Sequence, residues 1–577
     1  MRNKTLFLAI TIFPGSLLWG QTYITNVTVL DVEKQHLIPA QTVVITGNRI
    51  TNIGASKKLK PTEGATIIEG KGKFLLPGLV DAHVHFFQSG GLYTRPDGID
   101  LRKYVPYDTE IEWVHNNMED FLRRYLASGI TTVFDVGSTL RFLRQRDTFQ
   151  NKVYSPAVYM TGPLITTWEP SVFKNLENDE PFFEAKTPEE ARQLVQKQLP
   201  FKPDFIKIWY IAAIGNNLEA TARKYLPVVQ ATIDEAHKNN LKVAVHATER
   251  ITAQLAVESG CDYLVHFIDD EIVTDEFLQL LRRKHIVLCP TLIVSEGYIK
   301  TFAQNLSFSS SELLKSNPVP LGSLYDLKHL PDTNLVKKYK LMGEREQLPG
   351  KKTDSIKMVN LKKMVEAGIT IASGTDAGNI GTQHATSYMK ELKVMQESGM
   401  NNWQIVQAST INGAKALGKE QQFGSITTGK RADMILLNAN PLDNLDNLEK
   451  LDLVINKGHV IKPDTLIKET ALTLVQRQMN ALNARNLNAF MEPYADDVEL
   501  YTFPNKQIAK GKIEMSKMYA SLFEKMPNLH CQIINRIVQG NIIIDNERIT
   551  GLGDKPLEST GIFYIEEKKI RKVYFIQ

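Results

Sequence analysis

Six side chains able to bind a metal ion stand at comparable places along this sequence. The stretch "LLPGLVDAHVHFF" carries His83 and His85 one residue apart, "DFIKIWY" carries Lys207, "LKVAVHA" His246 and "DYLVHF" His266, and "ITIASGTD" ends on Asp376. Side chains alternate across a strand, so His83 and His85 share one face while Val84 points the other way. Two imidazoles leaning the same way suit a divalent cation. Imidazole plus carboxylate without thiolate suits zinc first, with manganese, iron or cobalt as alternatives. A bare His-x-His is more often a solvated strand end than a ligand pair. What points to chemistry is the recurrence of such a residue on, or just past, five apolar runs.

Those runs belong to a regular series. "LVDAHVH", "ITTVFDV", "AVYMTGP", "DFIKIWY", "LKVAVHA", "DYLVHF", "HIVLCP" and "ITIASGTD" are separated by segments of helical pattern around 112–128, 188–198, 219–238, 252–259, 274–283 and 355–367. Strands alternating with helices in this number predict a (β/α)8 TIM barrel, whose functional residues gather at the C-terminal ends of the strands. The barrel is expected over 77–417. A long polar insertion at 295–352, after the seventh strand, reads as a lid or substrate-facing loop. Strand-like, turn-rich text on both sides of the barrel, 21–76 and 418–462, predicts a composite β-sandwich, with Pro77 and Gly78 marking the passage into the barrel. From 465 to 577 the pattern changes to helix, break and several strands, a separate α+β domain.

Composition limits the function classes. With 577 residues, 43% hydrophobic and 23% charged, the chain is an ordinary globular protein of two or three domains. A formal charge of +4 without a dense Lys/Arg cluster makes nucleic acid an unexpected partner. Residues 1–20, "MRNKTLFLAITIFPGSLLWG", have a basic start (Arg2, Lys4) followed by an apolar stretch, the pattern of a signal peptide for export to the periplasm or beyond. Pro14 and Gly15 break that stretch short of the roughly 20 residues of a membrane span, and no later segment qualifies. Cys261, Cys289 and Cys531 show no C-x-x-C spacing and are expected as buried free thiols.

The texts "PGLVDAHVH", "DFIKIW", "VAVHATE", "DYLVHF" and "SGTDAG", in that order, resemble the metal-dependent amidohydrolases, in the imidazolonepropionase-like and prolidase-like branch. "GITTVFDVG" and "ASTINGAKALGKEQQFGSITTGKRADMILLN" extend the resemblance, which covers roughly 23–461. It implies that His83, His85 and Asp376 hold one metal, that His246 and His266 hold a second, and that Lys207, carboxylated to a carbamate, bridges them. If Lys207 is unmodified, the site holds one metal and His266 is free to polarise substrate. The implied reaction is hydrolysis of a C–N bond (amide, peptide or cyclic amide) of a small molecule or dipeptide by a metal-activated hydroxide. Asp376 serves as base and then acid, and His266 is the other catalytic candidate. A lactonase or phosphoesterase on the same site, or a non-catalytic binding or scaffold protein, are the alternatives.

Arg95 in the loop after the first strand, Tyr210, Arg250 and His384 are the candidates for substrate contact. His36, His115, His237, His285, His329, His459 and His530 fall away from strand ends and are assigned to structure. In the C-terminal part, "FMEPYADDVELYTFPNKQIAKGKIEMSKMYASLF" resembles the nuclear transport factor 2-like (SnoaL-like) fold, which implies a conical pocket and an accessory or homo-oligomerising role.

Overall fold

A computed structural model describes residues 20–347 and 352–577. The expected signal peptide therefore lies, Gly20 apart, outside the described residues. All eight barrel strands form where the sequence places them: β1 Leu79–Val84, β2 Ile130–Asp135, β3 Ala157–Met160, β4 Ile206–Trp209, β5 Val243–His246, β6 Tyr263–Val265, β7 Val287–Cys289 and β8 Thr370–Ile371. They pair in parallel as two runs, β1 to β3 and β4 to β8, the second extended beside β4 by the short strands Leu164–Thr166 and Phe182–Glu184. Backbone hydrogen bonds cross both seams: Ala82 N–H donates to Ser373 O (2.9 Å) and Asp376 N–H to His83 O (2.7 Å), while Asp204 N–H donates to Met160 O (2.9 Å). The architecture is a (β/α)8 barrel.

The period of two sorts the strand residues. On β4, Ile206 and Ile208 join the outer core beneath the helices, and on β5 so do Val243 and Val245. Ala244 belongs instead to an inner core with Val80, Ala82, Phe134, Tyr263 and Val265. Lys207 and His246 therefore point inward, as alternation requires. The outer helices bury one stripe each. Tyr107–Ala127, for example, buries Ile111, Val114, Met118, Phe121, Leu122 and Tyr125, at helical spacing.

Segments from both flanks of the barrel hydrogen-bond into one eight-stranded sheet, with Phe74–Pro77 between Gln21–Asp31 and Met434–Leu437. The sheet has its own core of Ile24, Val27, Val43, Ile45, Leu75, Met434, Leu436 and Ile455. The C-terminal residues build a six-stranded sheet packed on helices Ala471–Asn483 and Lys512–Lys525. All three cysteines are buried and free.

The insertion after β7 differs from the loop read in the sequence. It folds into helices Val294–Ala303, Ser310–Lys315, Pro318–Ser323 and Thr333–Glu346. Ser309 and Asn317 cap two of them, and Pro318 opens one at its first position. Polar composition there reflects short helices with one exposed face, while Leu313 and Leu321 insert into the core of the C-terminal domain. The insertion is thus a bridge between the barrel and that domain.

At the passage from sheet to barrel, a Cβ on Gly78 would stand 2.1 Å from Thr131 Oγ1 and 2.4 Å from its Cγ2. Overpacking of this kind destabilises by roughly 1–3 kcal/mol. Gly78→Ala is expected to lower the free energy of denaturant unfolding by about that amount, and an unchanged unfolding midpoint would show that β2 yields freely here.

Candidate metal centre

Asp376 lies just past β8 at the barrel mouth, with a backbone φ of +56°. A non-glycine residue in the left-handed region persists only where its surroundings hold it. Here Asp81, fully buried on β1, accepts hydrogen bonds from Thr375 N–H (3.0 Å) and from the Thr375 hydroxyl (2.7 Å). Asn379 Nδ2 donates to Asp376 Oδ1 (2.8 Å). Two glycines of the "SGTDAG" text allow the approach. A Cβ on Gly374 would meet His83 N at 2.7 Å, and one on Gly378, at φ +109°, would meet His85 O at 2.4 Å. Burial pushes the Asp81 carboxyl up to about 7, offset in part by its bonds to Thr375.

Around this carboxylate the histidines converge. Asp376 Oδ1 is 3.3 Å from His83 Nε2 and 3.1 Å from His85 Nε2, and Oδ2 is 3.9 Å from His266 Nδ1. The His246 and His266 rings lie 4.2 Å apart and those of His83 and His266 4.9 Å. Lys207, 1% exposed, lines the same cavity with His246 and Asp376. Burial lowers the histidines: His83 to about 3, and His246 and His266 well below the ordinary imidazole range. Burial likewise lowers Lys207 to about 7, against the opposing pull of Asp376. The Asp376 carboxyl is raised by burial, but the His83 and His85 rings outweigh that and hold it well below the usual range. The centre is therefore one ionised carboxylate beside His83, His246, His266 and Lys207, whose charged forms burial disfavours.

This donor set fits a divalent cation. His85 Nδ1 bonds the Gly137 carbonyl at 2.7 Å, which fixes the proton there and turns the Nε2 lone pair toward Asp376. Nε2 of His83 and of His85 stand 3.4 Å apart beside the same carboxylate oxygen, and Nδ1 of His83 is buried without a hydrogen-bond partner. Ligand atoms of His83, His266 and Asp376 lie within 4.8 Å of one another. Imidazole and carboxylate without thiolate, in a buried cluster with one negative charge, is a donor set for zinc or a similar ion.

Above the cluster opens a cavity of about 280 Å3. Of the four residues proposed for substrate contact, Arg95 lines it. Its guanidinium is held by Asp97 through Nε (2.8 Å) and Nη2 (2.6 Å) and by Asn379 through Nη1. The other three side chains lie elsewhere. Tyr210 donates to the Ala222 carbonyl and is buried outward. Arg250, the first residue of the outer helix Arg250–Glu258, pairs with Gln254 on that helix and with Glu271 in the segment after β6. His384 has both nitrogens engaged, with the Tyr125 hydroxyl (3.0 Å) and the Gln88 carbonyl (2.8 Å), and stacks on Phe86. Trp209, Asn379 and Tyr298 line the cavity without having been singled out in the sequence. For Trp209 the signal was present: two residues beyond Lys207 on β4, it shares the inward face, and Tyr210 must take the other. Trp209 packs against Phe182 (4.8 Å) and Trp168 (5.8 Å), an aromatic cluster that reaches the His246 ring at 6.0 Å.

Residues 74–461, more than half of the chain, match the Amidohydrolase family, and residues 475–573 match the SnoaL-like domain. The chain is 24% identical to a 5-methylthioadenosine/S-adenosylhomocysteine deaminase of Carboxydothermus hydrogenoformans, across 80% of this chain and 95% of that protein. It is 24% identical to an imidazolonepropionase of Alkaliphilus oremlandii, across 73% and 91%. Among solved structures, a Xaa-Pro dipeptidase with bound methionine in the active site superposes with a TM-score of 0.58 at 23% identity, over 77% of this chain and all (100%) of that one.

The geometry separates two groups of variants. After dialysis of protein loaded with zinc, elemental analysis is expected to find the metal lost from His83→Ala and Asp376→Ala but retained at the wild-type level in Tyr210→Phe and Arg250→Ala. Equal retention in all four would place the ion elsewhere.

Proposed function

The chain belongs to the amidohydrolase family, and we propose that it hydrolyses a carbon–nitrogen bond, in an amide, peptide or cyclic amide, of a small substrate. The observation that carries this reading is the Asp376 carboxylate within 3.9 Å of three imidazoles at the floor of the cavity. His83, His85 and Asp376 would hold one divalent ion and His246 and His266 a second, with carboxylated Lys207 between them. Bound there, such ions supply an acidified water and polarise the scissile carbonyl.

The chain's own residues do the rest. Asp376 is ionised and so can accept the proton of the attacking water and return it to the leaving nitrogen. Asn379 keeps its Oδ1 in place. Phe182 and Trp209 give an apolar wall for a substrate side group and exclude water. Arg95, already charge-balanced by Asp97, lines the same cavity and can receive a carboxylate through guanidinium hydrogens not used in those bonds.

Carboxylation of Lys207 has local support. Reaction with carbon dioxide needs the neutral amine, whose lone pair attacks the carbon as one N–H proton is lost to solvent, leaving a carbamate. Burial of Lys207 brings its ammonium down to about 7, so a large neutral fraction exists near neutrality. Export, suggested by the basic and then apolar residues 1–20, belongs to the same reading.

The names of the relatives suggest Xaa-Pro dipeptides, imidazolones and aminopurine nucleosides for the substrate panel, to which N-acyl amino acids are added, with lactones for contrast. With the best of these, Asp376→Asn is expected to lower kcat by ~10²–10⁴-fold while part of the metal is retained. Full activity in that variant would sink the role assigned to Asp376. Zinc loading in buffer stripped of carbon dioxide is expected to give about one ion per chain, rising to about two on addition of bicarbonate. No response to bicarbonate would leave Lys207 unmodified.

A further inference from the structure

A second, larger cavity of about 390 Å3 lies where the barrel, its helical insertion and the C-terminal domain meet. It shares no lining residue with the catalytic cavity, and it exists only when all three parts are assembled. We propose that it is a binding site for a small organic ammonium ion with an apolar body.

The polarity of its walls carries the proposal. Glu110, on helix Tyr107–Ala127, and Asp326, in the insertion, both face the cavity. Glu110 accepts from the Ser89 hydroxyl and Asp326 from the Tyr93 hydroxyl (3.0 Å). Among the described residues neither has an ion pair with a basic side chain. Two largely desolvated carboxyls held by hydroxyls alone are poorly compensated, and burial pushes both up, Asp326 to about 6. A cation entering between them relieves that penalty.

The two histidines that line the cavity do not compete for the cation. His329 and His530 stack with their Nε2 atoms 2.8 Å apart. Burial, with Lys328 close by, holds His329 at about 4 and His530 at about 3, so both are neutral at pH 7. Lys328 and Arg485 add to the lowering of His530. Among the described residues that line the cavity, the acidic side chains are this one carboxylate pair, Glu110 and Asp326. Trp113, Tyr93 and Met479 supply aromatic and apolar surface beside it, suited to the body of an amine and to cation–π contact. The volume is that of a small-molecule pocket.

The test uses the full-length protein and isothermal titration at pH 7.5 with 2-phenylethylammonium chloride, and with 2-phenylethanol and 3-phenylpropanoate as the neutral and anionic counterparts. The ammonium ion is expected to bind at least ~10-fold more tightly than either, since a charge-assisted hydrogen bond is worth about that factor. Asp326→Asn and Glu110→Gln, each nearly isosteric, are each expected to weaken it by ~10-fold or more, while Trp209→Ala, in the catalytic cavity, leaves it unchanged. Thermal unfolding curves verify that each variant is folded, and should one of the carboxyl variants fail to fold, the other decides. Binding of the alcohol as tight as that of the ammonium, no detectable binding of any probe, or binding lost in Trp209→Ala and kept in the carboxyl variants would overturn the proposal.

Discussion

A carboxylate can stand among imidazoles inside an apolar barrel only if its backbone and its oxygens are held from elsewhere. The holder is Asp81, on the same strand as His83 and two residues before it. By gripping the amide and hydroxyl of Thr375 it fastens the loop after β8 to β1, and the bond from Asp376 N–H to His83 O closes the same seam. Asp376 then keeps a left-handed backbone that no local preference would give it. The carboxylate and two histidines, from strands far apart in sequence, are thereby positioned by one set of bonds that is also part of the barrel wall. Asp81 carries a penalty for its burial, and the site depends on the barrel meeting it.

Much of this was legible because a barrel strand has a simple code. Alternation put His83 with His85 and Lys207 apart from Ile206 and Ile208, and the ends of the apolar runs marked the mouth. Proximity along the chain, unlike face, does not bring a side chain to the mouth. Tyr210 is adjacent to the strand of Lys207 but on the wrong side of it, whereas Trp209 obeys the period. Arg250, four residues past His246, has already entered the outer helix Arg250–Glu258, where the chain turns away from the mouth. His384 is near Asp376 in sequence, yet its two ring nitrogens are consumed in packing the loops that carry Gln88 and the helix that carries Tyr125.

The insertion illustrates a different limit. Its helices Ser310–Lys315 and Pro318–Ser323 are too short to show a hydrophobic period, so local pattern could not separate them from loop. The insertion's stability comes from tertiary contacts: Leu313 and Leu321 are buried against the C-terminal domain, and Tyr298 reaches back to Asn379 (2.8 Å). Asn480 of the C-terminal domain in turn bonds the Pro318 carbonyl at 2.7 Å. Contacts between residues separated by 81 and 162 positions leave no trace in a window of sequence.

Burial at the metal centre works in two directions. It disfavours the protonated forms of His83, His246 and His266 and leaves Lys207 with a large neutral fraction, so that lone pairs are available, and it would remove the charge of Asp376 too were the imidazoles not beside it. The result is a group of bases around a single anion, an arrangement that contributes little to folding by itself because desolvated polar groups destabilise. A cation bound to those lone pairs stabilises the folded chain by mass action, since the unfolded chain offers no such cluster. The same burial that makes the donors competent thus ties the stability of the barrel mouth to the ion the mouth is built to hold.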